Sequence, residues 1–255
     1  MTIMNCNQAL KNVCQNSSSN ITYLNRDDDV GGAMKTSQQS ISAFYTLDGC
    51  HSGLVSEVFD ALVSSQNDSQ KEWQNVCEHP RIQERLRTQG VDEYDSREMI
   101  TWDDPTLLFT LTRMLDEDNL PIMLGEDKNR ERFGRFPHPT GSAIQYVREN
   151  VRNVSQHTND LYDDLVTHLD YLLTRCNLDN VGDTRYMDGK AGLNIMGFLT
   201  SQEVKILRTT LLGGGWSVAK DEPIDGGVRD AVRHLGALLL AAERKGAGLI
   251  HRMHA

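Results

Sequence analysis

The sequence lacks the short motifs that mark the most familiar catalytic sites. It contains no G-x-S-x-G, H-E-x-x-H or C-x-x-C, and its glycine run at 213–215 is followed by Trp216, where a P-loop needs lysine and a hydroxyl residue. These absences disfavour familiar hydrolases, zinc sites and kinases, although they leave an enzyme with an unfamiliar site open. We therefore assign no catalytic residue, no metal and no cofactor, and lean against an enzyme.

Cysteines are few and long apolar runs are missing. The 5 cysteines are an odd number and lie far apart, which favours reduced thiols over a disulfide framework. The longest apolar stretch, near 238–242, is too short to cross a bilayer, and the first residues have no apolar core typical of a secretory signal. We therefore expect a cytoplasmic protein without a membrane partner.

Basic residues are outnumbered, with 26 Lys and Arg against 36 Asp and Glu and a net charge of −10. This balance disfavours nucleic acid, because the phosphate term would be repulsive. Nine acids fall between 92 and 118, which predicts an acidic face for a basic protein partner, although plain solubility explains the same charge. The face we assign comprises Asp92, Glu93, Asp103, Asp104, Asp116, Glu117 and Asp118.

The chain divides at about residue 40. Residues 1–40 are polar and predict a loosely attached arm, whereas 41–255 predict a single globular domain. Apolar residues recur every three or four positions from Ile144 to Leu172, which predicts a long central helix over about 141–175 in a helical bundle. A coiled-coil dimer through the same seam is the alternative. With short strands at 41–47 and 249–254, the fold class is α+β and predominantly helical.

Several helix ends carry local signals. Asp103 and Pro105 are typical of a helix start, and Thr200 with Glu203 forms the pattern of a capping box. Lys245 followed by Gly246 is typical of a helix end.

The last segment contains a capped helix that begins at FLTSQEV, a helix ending LLLAAERKGAGLI and a closing strand. This arrangement resembles the C-terminal end of small uncharacterised bacterial protein families. Some of these families are similar to immunity proteins of toxin systems. The resemblance covers about 197–254, under a quarter of the chain, and rests on capping and packing features. It implies a bacterial α+β protein with a binding role, and it carries over no site residue.

A second site candidate is the segment NRERFGRFPHPTGS, where arginines alternate with aromatics before a helix start. Arg130, Arg132 and Arg135 could hold a phosphate, with His138 as an acid or base. The competing interpretation is an ordered loop whose aromatics pack on the core.

Three histidine-containing patterns favour a structural role. Cys50 and His51 are adjacent, and a catalytic pair of this kind usually lies far apart in sequence. The stripe His157, Asp160, Asp164 and His168 falls within an arc of about 80° of a helix, but no facing ligand motif completes a metal site. His251 lies between apolar neighbours on one strand face, which predicts a half-buried histidine bonded to the backbone.

These observations leave three hypotheses. The first is a protein-binding module, of inhibitor or immunity type, that uses the acidic face. The second is an enzyme or binding protein for a phosphorylated or nucleotide ligand at Arg130–His138. The third is a structural protein that self-associates through the 144–172 seam.

Overall fold

A computed structural model describes residues 43–65, 70–124, 132–177 and 193–254, together with Tyr186 and Gly189. The predicted arm at 1–40 lies outside the described residues. The helices are α1 (Ser52–Ser64), α2 (Lys71–Cys77), α3 (Pro80–Thr88), α4 (Asp104–Thr112), α5 (Ala143–Asn150), α6 (Asn159–Thr174), α7 (Ser201–Leu212) and α8 (Gly227–Arg244). The strands are β1 (Phe44–Cys50), β2 (Arg132–Gly134), β3 (Val151–Asn153), β4 (Asn194–Leu199), β5 (Trp216–Val218) and β6 (Gly248–His254). The fold is therefore α+β and mostly helical, as predicted.

An antiparallel sheet forms the centre, in the order β2-β1-β6-β4. The two predicted terminal strands are neighbours in it, with Phe44 opposite His254 and Cys50 opposite Gly248. A separate two-stranded ribbon pairs β3 with β5. The sheet brings the end of the chain against β1, about 200 residues earlier, so that the final strand lies between β1 and β4.

Helices cover both faces of this sheet. Leu249 belongs to one apolar cluster with α5 to α8, whereas its neighbour Ile250 belongs to another with α1 to α4. Successive strand residues point to opposite faces, so the two clusters lie on opposite sides of the sheet. None of the described helices combines the length and apolar character needed to cross a bilayer.

The prediction of one long helix over about 141–175 is wrong. The chain leaves the helix after Asn150, pairs as β3 with β5, and re-enters a helix at Asn159 through a 3-10 turn at Gln156–Thr158. The Asn153 carboxamide accepts hydrogen bonds from the Ser155 N–H and the Thr158 hydroxyl, at 3.1 and 2.8 Å. Such side-chain bonds compete with helical bonds, and here they divide the segment into two helices.

The predicted apolar seam is divided in the same way. Ile144, Leu165 and Leu172 are buried in the core, but Val154 and Leu161 near the break remain exposed. A continuous coiled-coil face therefore does not exist in this segment.

The predicted helix ends are confirmed. The Asp103 carboxylate accepts from the Thr106 N–H at 2.9 Å, with Pro105 in the first turn of α4. Thr200 and Glu203 form the reciprocal capping box of α7. Gly246 follows α8 with a φ of 61°, the left-handed conformation that glycine adopts at helix ends.

Candidate functional site

A charged cleft of about 250 Å³ opens beside the start of α1, on the α1–α4 side of the molecule. Its lining residues are His51, Arg81, Glu84, Arg85, Thr88, Gln89, Thr110, Leu115, Asp116, Glu117 and Asn119. They come from the end of β1, from α3, from the last turns of α4 and from the hairpin that follows α4. The cleft is therefore assembled from four segments that are separated in the sequence.

Backbone pairing fixes these segments against each other. The His51 N–H donates to the Thr112 carbonyl at 2.8 Å, and the Met114 N–H donates to the Gly49 carbonyl at 3.1 Å. The chain after α4 thus runs antiparallel to the end of β1. It then turns back, and the Ile122 N–H donates to the Met114 carbonyl at 3.1 Å. His51 and the hairpin are consequently held by the same extended sheet.

One face of α3 supplies two arginines. Arg81 and Arg85 are four residues apart, so they lie on the same helix face, while Ile82 and Leu86 are buried in the core. Pro80 starts the helix, and the ring of His79 caps it by accepting from the Arg81 N–H at 3.2 Å. The local sequence His-Pro-Arg therefore positions the first arginine at the mouth of the cleft.

The two guanidinium groups bind neutral acceptors. Arg81 Nη1 lies 2.9 Å from His51 Nδ1, and Arg85 Nη1 donates to the Thr110 carbonyl at 2.7 Å. Within the described part of the chain, neither forms an ion pair with a carboxylate. Arg81, Arg85 and His51 are below called the cationic group.

At neutral pH the charge of the cationic group resides on the two arginines, and the neighbouring Glu84 offsets part of it. Burial, followed by the charge of Arg81, lowers the pKa of Arg85 to about 10. Burial, followed by the charges of Arg81 and Arg85, lowers the pKa of His51 to about 4. Both shifts have the sign that crowded positive charge produces. An anion in the cleft would relieve this repulsion.

The opposite wall is a hairpin over 115–121. Asp116 Oδ1 accepts from the Asp118 N–H at 3.0 Å and from the Leu120 N–H at 2.8 Å. Asn119 has a φ of 59°, which its short side chain tolerates, and Leu115 pairs with Pro121. These bonds hold the backbone of the loop, which places Asp116 and Glu117 beside the cleft.

The predicted acidic face does not form one free surface. Asp104 is buried and pairs with Arg97 at 2.7 Å, and Asp103 caps α4. Asp116, Glu117 and Asp118 are exposed, but they follow the other end of this nine-residue helix, which is about 13 Å long at 1.5 Å per residue. Asp92 and Glu93 are exposed in the loop after α3. The residues of the predicted face therefore lie in separate groups, and two of its aspartates stabilise the start of α4.

The predicted anion loop is only partly described. Arg130 and the side chain of Arg132 lie outside the described residues, and Arg135 is exposed. Both ring nitrogens of His138 are occupied, Nδ1 by the Thr140 hydroxyl at 2.9 Å and Nε2 by Glu149 at 3.0 Å. His138 therefore stabilises the turn before α5, and both of its ring nitrogens already have partners within the protein.

Cys50 and His51 have different environments. The thiol of Cys50 is fully buried, and burial raises its pKa, so it is a poor nucleophile. His51 instead belongs to the cationic group through Arg81. Cys50 is thus a buried core residue, whereas His51 is part of the candidate site.

The helical stripe does not form a ligand set. His168 is buried and its Nδ1 lies 2.6 Å from the Asp164 carbonyl, while His157, Asp160 and Asp164 point to exposed positions. Within the described ranges, no group of three His, Cys, Asp or Glu side chains is arranged to hold a metal ion. The break before α6 removes His157 from the helix on which the stripe was drawn.

His251 is bonded to the backbone as predicted, although it is fully buried and not half-buried. Its Nδ1 lies 2.9 Å from the Leu172 carbonyl in the last turn of α6, and its ring stacks on Tyr45 at 5.2 Å. Nε2 has no hydrogen-bond partner among the described residues. Burial lowers the pKa of His251 to about 4, so the ring is neutral at neutral pH.

The sequence reasoning missed Arg81 and Arg85. Their signal was a pair of arginines four residues apart on a helix whose other face is apolar. That pattern is usually an exposed helix face, and nothing local shows that His51 and the 115–121 hairpin close around it.

Together, fold and site define an α+β protein with a charged surface cleft beside the end of its central sheet. Comparison of the chain with protein-family models, characterised proteins and solved structures finds no match. Functional assignment therefore depends on the chemistry of the cleft.

Proposed function

We propose that this protein binds a small anionic ligand in the cleft between α3, the end of β1 and the 115–121 hairpin. The observation that carries the proposal is the cationic group, in which two arginines have no carboxylate partner within the described residues of a chain with a net charge of −10. Guanidinium groups bind phosphate, sulfate and carboxylate through charge-assisted hydrogen bonds. The ligand class remains the anionic one that was predicted for Arg130–His138, but the proposed site is the cleft.

The physical support is electrostatic. Arg85 is half-buried, and burial first and the charge of Arg81 second lower its pKa, so the free protein holds two like charges close together. Binding an anion converts this repulsion into attraction, and the partial burial limits screening by solvent. We place the protein in the cytoplasm, in keeping with the free, buried thiols of Cys50, Cys77 and Cys176.

The test is isothermal titration with sulfate and phosphate at constant ionic strength. We expect binding to the unmodified protein, and a loss of about tenfold or more in Arg81→Gln, since a hydrogen bond to a charged group contributes about 1.5–3 kcal/mol. Arg87→Gln is the matched control, because Arg87 is an exposed arginine of the same helix that does not line the cleft. Equal affinities for the two variants would refute the site, and no anion binding would refute the function.

A second candidate function is a protein-binding module, of the inhibitor or immunity type that the resemblance of 197–254 implies. The observation in its favour is the 115–121 hairpin, on which Leu120 is 59% exposed beside Asp116, Glu117 and Asp118. An apolar tip with acidic neighbours suits a basic protein surface, because charge speeds encounter and apolar contact slows dissociation.

This second function is tested by reversing Glu117 and Asp118 to lysine and measuring stoichiometric capture of a protein partner by native mass spectrometry. We expect the double variant to lose the partner. Asp103 and Asp104 are left unchanged, since their loss would destabilise α4 and mimic a binding defect. Retention of the partner by the variant would refute a role for the hairpin.

A further inference from the structure

The cleft contains negative as well as positive groups. Glu84, Asp116 and Glu117, below called the acidic group, line the same cleft as the cationic group. Within the described residues, the carboxylates of Glu84 and Glu117 form no ion pair with Arg81 or Arg85. Carboxylates and arginines are thus present on one cleft without a direct ion pair between them, although Glu84 acts on the charge of Arg85.

The positions of the two groups are set by structure that does not depend on a ligand. α3 holds the arginines together with Glu84, whereas the backbone bonds to Asp116 hold the hairpin that carries Glu117. Both walls are folded in the free protein, with charges of both signs on α3 and carboxylates on the hairpin. A ligand that carries both charges meets two prepared sites.

We infer that the ligand is a small zwitterion, with a phosphate monoester for the cationic group and a protonated primary amine for the acidic group. This rests on the proposed function and extends it by naming the ligand class. Phosphate is favoured over carboxylate because two arginines and an imidazole supply donors for its three terminal oxygens. An ammonium group supplies three donors and no acceptor, which suits carboxylates alone.

The size of the cleft limits the ligand. At about 250 Å³, the cleft lies at the small end of ligand sites in proteins. That size suits a phosphate joined to an amine through a short carbon chain. Among phosphorylated ligands, we therefore infer a small phosphorylated amine.

The test compares two ligands that differ in the ammonium group. Isothermal titration at low ionic strength with O-phosphoethanolamine and with ethyl phosphate measures what the amine adds. We expect O-phosphoethanolamine to bind about fivefold more tightly, with the advantage reduced at higher salt because exposed charges are screened.

Matched variants locate the ammonium group. Glu117→Gln removes an exposed carboxylate of the cleft, and Asp118→Asn removes the neighbouring exposed carboxylate that does not line it. We expect the advantage of O-phosphoethanolamine to disappear in Glu117→Gln and to persist in Asp118→Asn. Both variants keep Asp116, so the hairpin bonds are unchanged.

The outcomes separate this inference from the proposed function. If both ligands bind equally, the zwitterion inference is overturned while the anion site stands. If neither ligand binds, the proposed function fails as well. If the advantage survives in Glu117→Gln, the placement of the ammonium group on Glu117 is wrong.

Discussion

Acid should destabilise this protein through His251. The ring is fully buried, its Nδ1 donates to the Leu172 carbonyl, and Nε2 has no acceptor within the described residues. A second proton on Nε2 would place an unpaired positive charge in the core. The favourable bond to Leu172 and the nearby charge of Asp48 raise the pKa, but burial outweighs them and lowers it to about 4.

The magnitude follows from the two proton affinities. The unfolded chain binds the proton with the ordinary pKa of 6.5, whereas the folded chain binds it at about 4. The contribution of His251 to the free energy of unfolding is therefore fully present above about pH 6.5. It decreases as the pH falls towards 4, where both the folded and the unfolded state become protonated. Since each tenfold change in affinity corresponds to about 1.4 kcal/mol, the loss between pH 7 and pH 4.5 is about 2 kcal/mol.

The assay is urea unfolding of the unmodified protein and of His251→Gln over this pH range. Glutamine can still donate to the Leu172 carbonyl but does not titrate, so the difference between the two proteins isolates His251 from other groups. Between pH 7 and pH 4.5, we expect the free energy of unfolding of the unmodified protein to fall by about 2 kcal/mol more than that of the variant.

An NMR titration of the imidazole protons provides an independent measurement. A His251 signal that titrates near pH 6.5 in the folded protein would refute the argument. Parallel stability curves for the unmodified protein and His251→Gln would refute it equally.

Three further predictions concern a cap, a close backbone approach and the cleft. Asp103→Ala removes the N-cap of α4 and should lower the free energy of unfolding by about 1 kcal/mol in urea, and an unchanged midpoint would contradict the cap. Gly197→Ala would place a Cβ 1.9 Å from the Tyr171 carbonyl oxygen and should lower the free energy of unfolding by about 3 kcal/mol or more, measured by thermal unfolding. Gly236→Ala, whose Cβ would meet nothing within 4 Å, should leave this free energy unchanged or raise it, and equal effects of the two substitutions would be inconsistent with this packing. Sulfate should bind more tightly as the pH falls from 8 to 5, because the bound anion favours protonated His51, and His51→Gln should abolish that pH dependence in calorimetry.

The net charge of the chain is a poor guide to its most distinctive site. A balance of −10 predicts an acidic protein that repels anions at long range. At the cleft, Arg81 and Arg85 lie close together on α3, and the partial burial of Arg85 limits the screening of its charge by solvent. Local geometry therefore decides which ligand the protein can hold.

Signals contained within a few residues were read correctly from the chain. Asp103 before Pro105, Thr200 before Glu203 and Gly246 after α8 all mark helix ends as observed. A cap needs only a side chain and backbone groups within about four residues, so its physics is local. The same holds for the closing strand at 249–254, whose alternation of neighbours is a property of the extended backbone.

The break in the 141–175 segment and the cleft depend on long-range contacts. Apolar spacing favoured a continuous helix, but pairing of β3 with β5 and the side-chain bonds of Asn153 gave the backbone a better set of partners. Arg81 meets His51 from 30 positions away because α3 packs against α4, whose last residues pair with the end of β1, and no local pattern encodes that distance. Residue spacing can specify which side chains share a face of an element, but only the packing of elements brings those faces together.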